Sequence, residues 1–90
     1  MAIQNSRVVL YTRPDCHLCR AAREAVQEIC GDDWLELDVD QPGVHTGDGR
    51  QAARAYGELV PVLEVDGRRA GYWYIDADLL VGALNRPITP

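Results

Sequence analysis

The stretch YTRPDCHLCRAAREAV, residues 11–26, changes its hydrophobic period half-way along. Residues 7–12, which lead into it, are mostly β-branched, aliphatic or aromatic. They read as a strand that stops at Pro14, because the residue before a proline is held extended. Beyond the proline, Leu18, Cys19, Ala22, Ala25, Val26, Ile29 and Cys30 recur at helical spacing, and Gly31 supplies a C-terminal stop. Between the two patterns lies Cys16-His17-Leu18-Cys19. The first cysteine therefore stands at a helix start, with the second one turn further along the same face. Spacing alone leaves three readings open: a redox pair, half of a metal site, or two small buried residues.

Working outward, residues 34–40 alternate, with Leu35, Leu37 and Val39 opposite Trp34, Glu36, Asp38 and Asp40, as in a half-exposed strand. A loop over 41–49 follows, then a short helix over 51–56, with Thr46 or Asp48 expected as its cap and Gly57 as its end. Residues 60–65 form a third strand with Pro61 at its start. Asp66-Gly67 is a tight turn into a fourth strand over 69–73. Asp76 opens a last helix carrying Leu79, Leu80, Ala83 and Leu84, and Pro87 closes it. The order β-α-β-α-β-β-α predicts an α/β fold. Its first βαβ unit requires a parallel pair and its two-residue turn an antiparallel one, hence a mixed four-stranded sheet flanked by helices.

Ninety residues with 47% hydrophobic content suffice for one core, so residues 1–90 are expected to form a single domain. No apolar run approaches the roughly 18 residues of a membrane span, and no basic segment precedes an apolar one at the N-terminus. The expectation is a soluble, cytoplasmic monomer. A net charge of −5 repels phosphate backbones and anionic lipid, which argues against nucleic-acid and membrane partners. Three cysteines are an odd number and too few to staple a scaffold, which suits a reducing compartment.

Two segments resemble a known family. Tyr11-Thr12-Arg13-Pro14-Asp15-Cys16-His17-Leu18-Cys19 is similar to the signature of glutaredoxins and small glutaredoxin-like proteins: Tyr, Ser or Thr, Lys or Arg, two residues, then Cys-x-x-Cys. Val60-Pro61-Val62, followed by Val65-Asp66-Gly67, resembles their cis-proline strand and hairpin. The resemblance implies a thioredoxin-like fold of the glutaredoxin type and a dithiol-disulfide oxidoreductase acting on protein or low-molecular-weight disulfides. It also implies that the Val60–Pro61 bond is cis, turning the backbone of Val60 towards Cys16 to pair with an extended substrate, and that Arg13 stands where a basic residue meets a glutathione carboxylate. Two departures bear on substrate. Leu59 replaces the threonine of the family's Thr-Val-Pro, and Gly71-Tyr72-Trp73 keeps one glycine of a Gly-Gly pair. Tyr72 and Trp73 are expected to crowd glutathione and to offer an apolar platform instead.

The chemistry fits the placement. Exchange requires a thiolate, and unpaired N–H groups at a helix N-terminus favour negative charge at Cys16. His17, when protonated, adds positive charge, with Arg13 and Arg20 close in sequence, whereas Asp15 opposes. Cys16 is then the nucleophile and Cys19 the resolving thiol. This reading calls for no cofactor and no metal. Its alternative is a noncatalytic metal or iron-sulfur cluster module, with a cluster shared between two protomers. Cys30 is about 21 Å from Cys16 along a continuous helix and closes no site with it, so it is expected to be a small core residue. His45 is expected to be a solvated loop histidine.

Overall fold

The structure, a computed structural model, describes residues 7–85; Pro87, expected to close the last helix, lies outside them. The elements are β1 (Val8–Thr12), α1 (His17–Cys30), β2 (Leu35–Asp38), α2 (Ala52–Tyr56), β3 (Val62–Val65), β4 (Arg68–Tyr72) and α3 (Ala77–Leu84). β1 runs parallel to β2 and antiparallel to β3, and β3 is antiparallel to β4, giving one mixed sheet in the order β2-β1-β3-β4.

Local chemistry sets most boundaries. Cys16 is extended (φ −105°, ψ 105°) and caps α1, and Gly31 ends that helix at φ 62° while its N–H donates to Gln27 O at 2.9 Å. A left-handed residue there is what glycine permits at little cost. The Asp76 carboxylate accepts the Leu79 N–H at 2.9 Å and so opens α3.

Three expectations need correction. Neither Thr46 nor Asp48 caps α2. Its N-cap is Gln51, which makes no side-chain bond, and the Ala52 N–H is met instead by the Val44 carbonyl at 3.0 Å. Thr46 closes the preceding loop on itself, donating to Asp48 and accepting the Arg50 N–H at 3.1 Å. β4 spans 68–72 rather than 69–73, because Trp73 turns out of the ladder into a positive φ. Leu35 is also 37% exposed rather than inward. β2 is an edge strand, and the five-residue α2 on that face is too short to reach its first residue.

The sheet has two different faces. Val8, Leu10, Leu63 and Val65 meet Ala22 and Val26 of α1 and Leu80 and Ala83 of α3 in one apolar cluster. On the other face Tyr11, Val39 and Val62 pack with Ala52 and Tyr56 of α2. That second face also holds Glu64, 2% exposed on the central strand β3. Its carboxylate accepts the Tyr11 hydroxyl at 2.9 Å, the Tyr56 hydroxyl at 2.6 Å and the Gly47 N–H at 3.0 Å. A buried carboxylate is tolerable only when so satisfied. The two phenols are held well above their ordinary ionisation range, first by burial and then by the Glu64 carboxylate.

Candidate active site

Three segments meet at the end of the sheet where β1 finishes and β3 begins. The first, residues 13–16, carries the chain from β1 into α1. The second, 57–61, leads from α2 into β3, and the β1–β3 register, which pairs Tyr11 with Val62, brings Pro61 opposite the end of β1. The third, 72–76, follows β4. Arg13 ties the first to the second by donating Nη1–H to the Gly57 carbonyl at 2.8 Å. Trp73 ties the third to the second, its backbone N–H reaching Pro61 O at 2.9 Å and its indole N–H Glu58 O at 3.2 Å. Gly57 is required there: a Cβ would strike the Ala53 carbonyl oxygen and lie 3.2 Å from Arg13 Nη2.

Cys16 and Cys19 are joined as a disulfide with Cα atoms 5.2 Å apart. Cys16 is half-buried and Cys19 is 1% exposed. The Cys19 N–H donates to Cys16 Sγ at 3.2 Å, so the cap that starts α1 is the sulfur itself. Beside it lies a depression of about 430 Å³ lined by Arg13, Pro14, Asp15, Cys16, His17, Arg20 and Arg23. The sequence-derived set thus divides. Arg13, Cys16 and His17 share this depression, whereas Val60, Pro61 and Tyr72 sit around the adjoining β3–β4 end. The Val60–Pro61 peptide is cis, the Pro61 ring is buried and Val60 is half-buried.

Two of the arginines around the depression are committed. Arg13 grips Asp40 through two bonds of 2.9 and 3.1 Å, which holds that carboxylate below its usual range. Arg23 forks onto Glu36 at 2.8 and 2.6 Å. Glu36 also accepts the Thr12 hydroxyl at 2.8 Å and is likewise lowered, chiefly by Arg23. Among the described residues, no group of three or more His, Cys, Asp or Glu side chains is disposed to hold a metal ion. Cys30 is a free, partly buried cysteine packed against the apolar cluster, and burial first and Asp33 second push its thiol up.

The family model of the Glutaredoxin-like domain (DUF836) matches residues 7–85. The chain belongs to that family. Relatives of this glutaredoxin-like domain include uncharacterized proteins of Mycobacterium tuberculosis and Mycobacterium bovis, each 35% identical over 84 residues, covering 89% of this chain and 84% of the relative. Among solved structures it is similar to structural-genomics target protein XcR50 from X. campestris, with TM-score 0.68 and 33% identity over 89% of this chain and 99% of that one. Oxidized glutaredoxin 2 from Chlamydomonas reinhardtii shares the fold, with TM-score 0.55 and 16% identity, covering 91% of this chain and 75% of that one. A glutaredoxin-like, thioredoxin-type fold that presents a Cys-x-x-Cys pair at a helix start supports a thiol-disulfide redox role.

Sequence reasoning about this glutaredoxin-like domain missed two features. Asp40 and Glu36 as partners of Arg13 and Arg23 carried no local signal. Glu64 did carry one, since a strand paired on both sides and covered on both faces leaves its charged residue no water to reach. Tyr72 and Trp73, expected to offer an apolar platform, lie outside the core at 41% and 45% exposure.

Proposed function

We infer that this chain is a dithiol-disulfide oxidoreductase working through Cys16 and Cys19 in a reducing, cytoplasmic setting. The observation that carries the reading is the capping sulfur: a helix N–H donates to Cys16 Sγ, while Cys19 is shut away one turn below. A hydrogen bond and the helix dipole both favour a thiolate at Cys16 in the reduced state. That thiolate attacks one sulfur of a substrate disulfide, forming a mixed disulfide and expelling the other sulfur as a thiolate. Cys19 then loses its proton and attacks Cys16 Sγ, expelling the second substrate thiolate and leaving the Cys16–Cys19 disulfide. Two electrons pass to the substrate, and an external thiol returns them.

In this reading Val60 offers its backbone to an extended substrate beside Pro61, and His17, exposed at the mouth, adds positive charge when protonated. Glutathione is a weak partner. Its carboxylate must displace Asp40 from Arg13, and Tyr72 and Trp73 stand where a Gly-Gly pair lets backbones approach. Alkylation of the reduced protein across pH, followed by mass spectrometry, tests the assignment. Cys16 is expected to react first, with a midpoint below the roughly 8.5 of a free thiol, and Cys16→Ser to abolish disulfide reduction. Fastest reaction at Cys19 or Cys30, or freshly purified protein that holds a metal or cluster on these thiols and reduces no disulfide, overturns it.

A further inference from the structure

Residues 72–74 form a γ-turn of the rarer hand: the Tyr74 N–H donates to Tyr72 O at 2.8 Å, and Trp73 at the apex has φ 65°. A bulky residue rarely adopts that conformation. The indole is nevertheless fixed, through its N–H on Glu58 O and its backbone N–H on Pro61 O. Tyr72 packs edge-on against it with centroids 5.1 Å apart, and the Arg69 guanidinium lies 5.3 Å over the Tyr72 ring. That last contact depends on an irregularity in β4. Gly71 pairs with Leu63 but Arg69 with Glu64, so the extra residue, Ala70, brings Arg69 and Tyr72 onto one face.

The Tyr72 and Trp73 rings are held yet wet, at 41% and 45% exposure, and the neighbouring Tyr74 is 76% exposed. Consecutive exposed aromatics of this kind mark an interaction surface, and their fixed geometry leaves little side-chain freedom to lose on binding. The surroundings set the charge of the partner. Exposed Glu58 and Asp76 belong to the segments that meet at the turn, in a chain of net charge −5. Of the nearby cations, Arg69 is engaged on the Tyr72 ring, and Arg13, which Glu58 also attracts, is gripped by Asp40. Carboxylates and the faces of Trp and Tyr both attract cations. Distance sets its size. β4 is two strands removed from β1, about 10 Å, which an extended segment crosses in about three residues.

We propose that the Tyr72–Trp73–Tyr74 turn is a docking surface for protein substrates, taking a Lys or Arg about three residues from the cysteine of the disulfide being reduced. The proposal rests on the oxidoreductase reading and names the substrate class for it. Glu58 and Asp76 neutralise the incoming cation while the indole covers its aliphatic stem.

The test is single-turnover oxidation of the reduced, full-length protein by symmetric disulfides of short peptides carrying Lys, Leu or Glu three residues on either side of the cysteine. Each rate is taken relative to that with hydroxyethyl disulfide. Lys is expected to exceed Glu at least tenfold, with Leu between them. The ratio is expected to fall below threefold at high salt, in Trp73→Gly, where glycine accepts the positive φ, and in Tyr74→Ala. Equal Lys and Glu rates, a faster Leu peptide, or a ratio that survives both variants overturns the docking proposal alone. Failure to react with hydroxyethyl disulfide as well as the peptides overturns the oxidoreductase reading on which it rests.

Discussion

The two faces of the sheet solve burial in opposite ways. Under α1 and α3 the contact is apolar, with Leu10, Leu63 and Leu80 fully buried among valines and alanines. Under α2 the same strands carry a carboxylate and a phenol that must be matched with a second phenol on α2 and a loop N–H. The apolar face holds α1, and so the cysteines, by shape and area. The polar face fixes the 41–50 loop and α2, and so the Gly57–Pro61 segment, by direction. A helix of 14 residues can cover its strands with side chains, whereas one of five cannot, and a hydrogen-bonded cluster with a folded loop replaces the missing helix.

If that contrast is right, conservative changes should be cheap on one face and costly on the other. Leu63→Met keeps volume and is expected to cost below about 1.5 kcal/mol. Glu64→Leu strands the Tyr56 hydroxyl and the Gly47 N–H and is expected to cost about 2–5 kcal/mol by urea denaturation. Glu64→Gln should fall between. The Tyr11 hydroxyl already lies 3.0 Å from the His45 carbonyl, so it can turn its proton there and accept from the new amide. Equal costs for Leu63→Met and Glu64→Leu would erase the distinction.

A smaller effect is expected at alkaline pH, and only from the polar face. Tyr11 and Tyr56 have raised folded pKa values, so above about 10 the unfolded chain loses phenolic protons that the native state keeps. Their contribution is complete below that pH and is lost as pH rises from there through the folded values, by about 1.4 kcal/mol for each phenol near pH 11. Denaturation at pH 8 and 11 checks this, and Tyr56→Phe should shrink the difference. The smallest effect belongs to Cys30, which packs on the apolar face at the far end of α1. Cys30→Ala should leave disulfide reduction nearly unchanged, and a loss approaching that of Cys16→Ser would mean that α1 does not separate the two thiols as described.

Much of this was legible in the sequence where neighbours along the chain decide the outcome. The period change around Pro14, the one-turn spacing of Cys16 and Cys19, the Gly31 stop, the Asp76 cap and the Asp66-Gly67 turn depend on contacts within about four residues, which local residue order dictates. The parallel pairing of β1 with β2 and the antiparallel hairpin followed from connection length alone. The tertiary structure decided what depended on residues far apart. Arg13 had 14 acidic residues to choose from and took Asp40, 27 positions away, because the sheet brings the ends of β1 and β2 together. Glu64 became an interior carboxylate because strands closed on both sides of it and a loop 17 residues upstream supplied a donor. Trp73 left its strand because Pro61 O and Glu58 O, both on another segment, hold its two N–H groups. Sequence determines the conformations whose energy is local; the partners of a charge or a ring are set by which segments the folded chain places within hydrogen-bond reach.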